Sequence, residues 1–339
     1  MPEHVITSDA AKICERVDFA SLQGKTILIT GASGLLGTYF LATLAHLHAA
    51  GLAFKVIAQI LSEPATHTVE IIKHGGFQLV AIDLANYQEC SSLPEADIVI
   101  HSAGYAQPAI FMANPAATIQ VNTTATATIL QKLRPGGSFL YLSSSEVYSG
   151  LKKPLVNEAD IGTTTPLHPR SSYIEGKRCG EAICNAYRAK GVRAVSARLA
   201  LAYGPGTRKH DKRAMNSFIE RAICRGRLEL MDAGKALRTY CYVSDAVELI
   251  WQAALHGAQP VYNIGGHSTV SIGELAKIIG GLTGAPVSFP AILAEVAGAP
   301  DEVRLDLTRA ETEFCKSNYV SLEDGLRATI EWQRELYAL

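Results

Sequence analysis

Short runs of β-branched and apolar residues recur along the first two hundred positions, each closed by glycine, serine or a charged turn. They are "KTILIT" (25–30), "FKVIAQIL" (54–61), "FQLVAIDL" (77–84), "DIVIHSA" (97–103), "SFLYLSSS" (138–145) and "RAVSARLA" (193–200). These runs are apolar on successive positions rather than alternate ones, the pattern of strands buried on both faces. Helical patterns lie between most of them, so the predicted architecture is an α/β, doubly wound parallel sheet. After about residue 200 the order loosens into "YGPGTRKHDKRAMNSF", where proline and glycine stand beside clustered charges, and this marks the entry to a smaller, mixed α/β domain. "PVYNIGG" (260–266) predicts one more strand returned to the sheet. The resulting division is an unpaired N-terminal extension over 1–22, a first domain over 23–200 with a return at 236–266, and a C-terminal substrate-binding domain from 201–235 and 267–339.

Composition narrows the classes. The chain has 339 residues, nearly half of them apolar, with 31 lysines and arginines against 32 aspartates and glutamates. That balance gives no general attraction to nucleic acid or an anionic membrane, so any anion must be held locally. The seven cysteines are scattered without CxxC spacing and read as reduced thiols of a cytoplasmic protein. The first twenty residues lack the apolar core and cleavage site of a signal peptide. The most apolar window, 40–61, contains His46, His48, Lys55 and Gln59 and a break at Gly51, which predicts a buried helix and strand rather than a membrane span.

"TGASGLLG" (30–37) follows the first predicted strand directly and opens a helix. In that setting Gly31 permits a tight turn, Gly34 a close approach of pyrophosphate, and Gly37 close packing of helix on strand. The helix N-terminus then offers N–H donors to phosphate, and the motif predicts a bound dinucleotide. The acidic residue expected at the end of the second strand, where it would hold the adenosine ribose, is missing. Gln59 and Ile60 stand there and Glu63 follows. No arginine stands there either, so a 2′-phosphate is not favoured. Asp83, at the end of the third strand, is either an adenine contact or a cap for the next helix.

In "PRSSYIEGKRCGEAI" (169–183), Tyr173 and Lys177 are one helical turn apart on one face. A tyrosine with a reference pKa of about 10 can serve as a base near neutrality only beside positive charge, which the lysine and an oxidised nicotinamide would supply. "YLSSSEVYSG" (141–150) ends a strand of the same sheet, where Ser144 can hydrogen-bond a hydroxyl and Glu146 can act as a second acid or base.

At these residues the chain resembles the extended short-chain dehydrogenase/reductase family, in its nucleotide-sugar epimerase, dehydratase and decarboxylase branch. The resemblance spans roughly residues 25–335 and rests on "TGASGLLG", "HSAG", "NTTATATIL", "LSSSEVY", "YIEGK", "YGPG" and "LRTYCYVSDAV". It implies a Rossmann-type NAD domain, with the cofactor held by Gly31, Ser33, Gly34, Leu35, Leu36, Gly37, Asp83, Leu84, Ser102, Ala103, Gly104 and Lys177. It further implies Tyr173 as base, Lys177 orienting the ribose, and Ser144 as third member, with Glu146 and Ser145 beside them and Asn122 in a structural role. Arg238, Ser144, Asn216 and Tyr203 would meet the substrate. For Arg238 the alternative is a surface ion pair with Asp245 or a neighbour.

The shared chemistry of that branch oxidises a sugar C4 hydroxyl, uses the ketone for a neighbouring step, and returns the hydride. "SSSEVY" and "PRSSYIEGKR" are most similar to UDP-glucuronate decarboxylases. Ser145 stands where many 4,6-dehydratases place an aspartate, which lowers the dehydratase alternative, and Glu146 replaces the small residue of simple 4-epimerases. A non-catalytic dinucleotide sensor and an NADPH-consuming ketosugar reductase are the other classes to separate. The charges Arg208, Lys209, His210, Lys212 and Arg213 are expected to be largely solvated, with one or two touching phosphate. His101 reads as a strand-end residue rather than a proton carrier, His267 has no assigned role, and no ligand spacing predicts a metal. The helical segments 113–133 and 171–190 carry broad apolar faces, and the resemblance implies that they pair in a homodimer and that the product supplies cell-surface polysaccharide.

Overall fold

The structure of the protein, a computed structural model, describes residues 3–290 and 304–338; the stretch 291–303 of the expected C-terminal domain lies outside the described residues. Seven parallel strands form the main sheet: β1 (Thr26–Thr30), β2 (Lys55–Ile60), β3 (Gln78–Ala81), β4 (Ala96–His101), β5 (Leu133–Ser144), β6 (Arg193–Leu199) and, later in the chain, β10 (Val261–Ile264). Their order is β10-β6-β5-β4-β1-β2-β3. The chain therefore leaves β1 in one direction and resumes at β4 on its other side, which opens a crevice at the carboxyl ends of those two strands.

The apolar runs are continuous because the sheet is covered on both faces. Ile27, Ile29, Ala58 and Ile100 enter one core while Leu28, Ile57, Val99 and Phe139 enter the other. The helices α2 (Leu35–Ala49), α3 (Thr66–Gly75), α4 (Tyr87–Ser91), α5 (Pro108–Ala113), α6 (Pro115–Asn122), α7 (Thr124–Leu130) and α8 (Ser171–Arg188) belong to this half, as does α10 (Val243–Leu255). The window 40–61 is α2 followed by β2, and among the described residues no helix is long and apolar enough to cross a membrane.

The remaining elements are α9 (Ala214–Arg225), α11 (Ile272–Thr283), α12 (Thr308–Phe314) and α13 (Leu322–Tyr337), with β7 (Leu201–Tyr203), β9 (Leu237–Tyr242) and β11 (Ser268–Ser271) in a three-stranded sheet. A pair, β8 (Leu228–Glu229) with β12 (Val287–Ser288), completes them.

Three sequence expectations are corrected. Residues 1–22 are not an unpaired extension: Glu3–Arg16 forms helix α1, whose Ile6, Ala10 and Ile13 are buried against α2 and α10. The spacing of Ile6, Ala10, Ile13 and Val17 is that of an amphipathic helix seam. Its Asp9 accepts hydrogen bonds from the Tyr242 hydroxyl at 2.9 Å and the Tyr39 hydroxyl at 3.3 Å. The return at 236–266 is split, since β10 joins the main sheet while β9 pairs with β7 and β11. The helical segment 113–133 is also broken, at Thr123, between α6 and α7.

A buried ionic knot ties the C-terminal helices to α10. The Lys316 ammonium lies 2.7 Å from Asp245 and 2.8 Å from Glu248, and Asp245 also accepts from the Val320 N–H at 2.9 Å. Removing the cation leaves Asp245 without a counter-charge in a dry site, while Glu248 keeps the partly exposed Arg16 at 3.1 Å. We expect Lys316→Met to destabilise the fold by about 3–5 kcal/mol, measured as a lower urea midpoint with an unchanged slope.

Candidate functional site

The glycine turn is built by contacts that a side chain would break. Gly31 has φ +67°, and a Cβ there would lie 2.7 Å from the Ala103 Cα. At Gly37 a Cβ would lie 2.5 Å from the Gly31 carbonyl oxygen. Helix α2 starts at Gly34 with no side-chain cap, so the N–H groups of its first turn, at Leu35 and Leu36, have no side-chain acceptor and suit a pyrophosphate. The residues fit the dinucleotide expected of them.

Gln59 explains the missing acid. Its Oε1 accepts from the Gly31 N–H at 3.0 Å and its Nε2 donates to the Ile82 carbonyl at 2.8 Å. The buried amide thus pins the glycine turn to the chain beyond β3. Ile60 is buried in the sheet and Glu63 is exposed. Asp83 caps its own turn by accepting from the Ala85 N–H at 2.9 Å, and Leu84 is buried. Across the crevice, Ser102 Oγ donates to the Thr30 carbonyl at 2.6 Å and the Ala103 N–H donates to Thr30 Oγ1 at 3.2 Å. Gly104 follows, its Cβ position 3.8 Å from Lys177 Nζ. Thr30 Oγ1 meets His101 Nδ1 at 2.7 Å and His101 Nε2 meets the Val121 carbonyl at 3.2 Å. Burial and, secondarily, the Lys177 charge push His101 down to about 3. It is a neutral strap between β4 and α6.

At the ends of β5 and α8 the catalytic candidates converge. Ser144, the last residue of β5, accepts from the Glu146 N–H at 3.2 Å and faces the Tyr173 phenol, whose ionisation it favours. Lys177 donates to the Leu142 carbonyl at 2.7 Å, with its ammonium 5.0 Å from the Tyr141 ring and 5.7 Å from that of Tyr173. Burial raises the Tyr173 phenol to about 12; Ser144 and Arg170 oppose that rise and Glu146 adds to it. Burial lowers Lys177 to about 7, and Glu181 opposes the fall. Asn122 lies beneath the pair, 3.3 Å from the Cβ position of Gly176. It accepts from the Tyr141 hydroxyl at 2.9 Å and donates to the Thr118 carbonyl at 2.7 Å.

Two residues not singled out from the sequence complete this side. Arg170 pairs with Glu146 at 2.5 Å and stands 5.4 Å from the Phe111 ring centroid, while Phe111 stacks on Tyr173 at 4.6 Å with an interplanar angle of 13°. The Arg170 Nε is buried without a hydrogen-bond partner among the described residues. Arg170 lies three positions before Tyr173 and was legible there; Phe111 carried no signal. Ser145 opens the short turn over Ser145–Tyr148 and is half-buried.

The expected substrate residues divide. Arg238 lies on β9 opposite Val270 and donates to the Leu237 carbonyl at 2.6 Å. Its alternative partner, Asp245, is instead engaged by Lys316. Tyr203 corrects the expectation, since it is buried and its hydroxyl donates to the Leu322 carbonyl at 3.4 Å. Asn216 is also buried, accepting from Gln333 Nε2 at 3.3 Å. Both turn into packing against α13 or its neighbours because the loop after β7 closes over that helix. From the charged loop, Arg208 crosses to the glycine turn and donates to the carbonyls of Ser33 at 3.1 Å and Glu63 at 3.4 Å. Lys209 lies 5.4 Å from the Tyr337 ring, His210 pairs with Glu220, Arg213 pairs with Asp211, and Lys212 is exposed. His267 pairs with Glu311 at 2.6 Å. Among the described residues no group of three potential ligands could hold a metal.

Comparison with known proteins bears on the family and the fold. Residues 27–265 match the NAD dependent epimerase/dehydratase family. The chain is 30% identical over 315 residues to UDP-glucuronic acid decarboxylase 1 of Xenopus tropicalis, covering 92% of this chain and 72% of that protein. It is 28% identical over 302 residues to UDP-glucuronic acid decarboxylase 1 of Arabidopsis thaliana, covering 88% of this chain and 68% of that protein. Among solved structures it resembles the UDP-glucose 4-epimerase of Thermotoga maritima with UDP-glucose, at 25% identity and TM-score 0.78, over 92% of this chain and 99% of that one. The dTDP-glucose 4,6-dehydratase of Streptomyces venezuelae with NAD shares the fold, at 24% identity and TM-score 0.78, over 92% and 98% of the two chains.

Proposed function

The chain belongs to the NAD dependent epimerase/dehydratase family and is an NAD-dependent enzyme of nucleotide sugars, and we propose that its reaction is the decarboxylation of a UDP-glucuronate-like substrate through transient oxidation at C4. The observation that carries this reading is the convergence of the Ser144 hydroxyl and the Tyr173 phenol at the carboxyl edge of the sheet that bears the glycine turn, with the Lys177 ammonium 5.7 Å from the phenol ring. A bound NAD, held by the turn from Gly31 to Gly37, would supply the hydride acceptor at C4 and give the hydride back.

The protein's own part is proton handling and placement. Tyr173 takes the proton of the C4 hydroxyl, and Ser144 holds that hydroxyl and the phenol together. Lys177 contributes the positive charge that a phenol raised to about 12 requires to ionise near neutrality. Once C4 is a ketone, the C6 carboxylate is that of a β-keto acid and leaves as carbon dioxide, its bonding pair passing into a C4 enolate that then takes a proton at C5. The Arg170 guanidinium, paired with Glu146 beside the phenol, is the cation suited to a substrate carboxylate at that end. The names of the vertebrate and plant relatives support the same choice. Ser145, in place of a carboxylic acid, gives a leaving hydroxyl at C6 no strong proton donor.

Mass spectrometry of products from a panel of UDP-, GDP-, dTDP- and CDP-sugars tests this reading. Loss of carbon dioxide from UDP-glucuronate is expected. Loss of water would assign a dehydratase, and an unchanged mass with a new retention time an epimerase. A homodimer is part of the same proposal: α6 packs on α8, and Ile119 of α6, with Ile110 and Met112 of neighbouring α5, is exposed on this side.

A further inference from the structure

Tyr173, Lys177 and Glu181 succeed one another at four-residue intervals and share one face of α8. The first two belong to the site described above. Glu181 lies one turn deeper and is buried. Its carboxylate accepts from Ser143 Oγ at 2.5 Å, from Arg198 Nε at 2.9 and 3.2 Å, and from Arg198 Nη2 at 2.7 Å. Arg198 in turn donates to the Tyr148 hydroxyl at 2.8 Å and to the Glu158 and Asp160 carbonyls at 3.1 and 3.2 Å. Ser143 is the neighbour of Ser144 on β5, and Arg198 lies opposite Ser143 on β6. One carboxylate therefore fixes the turn of α8 that carries Lys177 against the two strands whose ends form the site.

The same carboxylate is the anion in the surroundings of a buried ammonium. The groups facing Lys177 are the Tyr173 and Tyr141 rings, the Leu142 carbonyl, the neutral His101 across from β4, and Glu181. The groups facing Glu181 are Ser143, Arg198, Lys177 and, further off, Tyr141, Tyr148 and Cys184. Burial alone favours neutral Lys177, and Glu181 opposes it. We propose that Glu181 is a positioning residue for the proton transfer, keeping Lys177 cationic and holding α8 in the register that brings the Tyr173 hydroxyl onto Ser144. The inference rests on the reading of Tyr173 and Lys177 as the proton-transfer pair.

The sign follows from the charges. With glutamine at 181 the anion is gone and Arg198 stays, so Lys177 must release its proton at lower pH. The test is a titration of the lysine side-chain resonances of the full chain saturated with NAD, with the Lys177 signal assigned by its loss in Lys177→Met. Glu181→Gln is expected to lower the Lys177 pKa by about one unit; an unchanged value overturns the proposal. In turnover, the ratio of wild-type to Glu181→Gln kcat is expected to be about tenfold on the alkaline side and to shrink as pH falls; a ratio constant with pH points to packing alone and overturns it. Should the glutamine variant not fold, Glu181→Asp keeps the charge and must leave the Lys177 titration near its wild-type position, and a fall of about one unit there overturns the proposal as well. The titration needs no sugar substrate. Failure of UDP-glucuronate to react would reject that substrate and leave this result standing.

Discussion

Tyr173→Phe is expected to lower kcat on the true sugar nucleotide by roughly 10²–10⁴-fold, with NAD affinity unchanged. The ring would remain stacked on Phe111 at 4.6 Å, so only the hydroxyl and its polar contact with Ser144 are removed. Loss of one polar contact changes stability by at most about 0.5–1.5 kcal/mol, and a thermal melt separates this from misfolding. Steady-state kinetics beside NAD titration checks both halves. Equal turnover by the variant would eliminate Tyr173 as the base, and a parallel loss of NAD binding would mean that the phenol serves the cofactor site instead. Turnover by the wild-type protein would rule out the sensor alternative, which requires none from either protein.

The second large effect is expected at the glycine turn. Gly31→Val places a branched side chain where φ is +67° and where even a Cβ lies 2.7 Å from the backbone of Ala103. A left-handed backbone disfavours any L-residue by roughly 1–2 kcal/mol, more for a branched one. The contact with Ala103 cannot be relieved by a rotamer, because both partners are main chain or directly attached to it. Relief must come from displacing the turn, which also breaks the 3.0 Å bond from the Gly31 N–H to Gln59. NAD affinity measured by calorimetry is expected to fall by about 100-fold or more, equivalent to about 2.7 kcal/mol. Binding within a few fold of wild type would show that the pyrophosphate does not lie on this turn.

Much of the fold could be read before any coordinates, for a physical reason. Strands covered on both faces favour apolar residues at successive positions, so most strands of the main sheet announced themselves as short buried apolar runs, although β3, at the sheet's edge, is largely exposed. The site candidates Gly31, Ser144, Tyr173 and Lys177 were legible because their chemistry depends on local spacing, either within a turn or along one helix. What failed to show depends on contacts between distant segments. Helix α1 carries its seam in Ile6, Ala10 and Ile13, with Val17 just beyond it, among many polar residues, and α2 and α10, brought near by the sheet, pack against it. Gln59 looked like a missing acid because its two hydrogen bonds go to Gly31 and Ile82, which the sequence does not place around it. Tyr203 and Asn216 sit in motif-like stretches, yet α13, more than a hundred residues later, accounts for their burial. Phe111 has no neighbour in sequence that hints at its place over Tyr173.

The most direct measurement uses UDP-glucuronate carrying deuterium at C4, incubated with the protein and NAD, with the product followed by mass spectrometry and NMR. The account predicts a pentose nucleotide that has lost carbon dioxide, keeps the deuterium at C4, and leaves no stoichiometric NADH behind. Recovery of a decarboxylated product with hydrogen at C4, or of NADH in proportion to product, would contradict the transient oxidation and return that Tyr173 and Lys177 are held to serve.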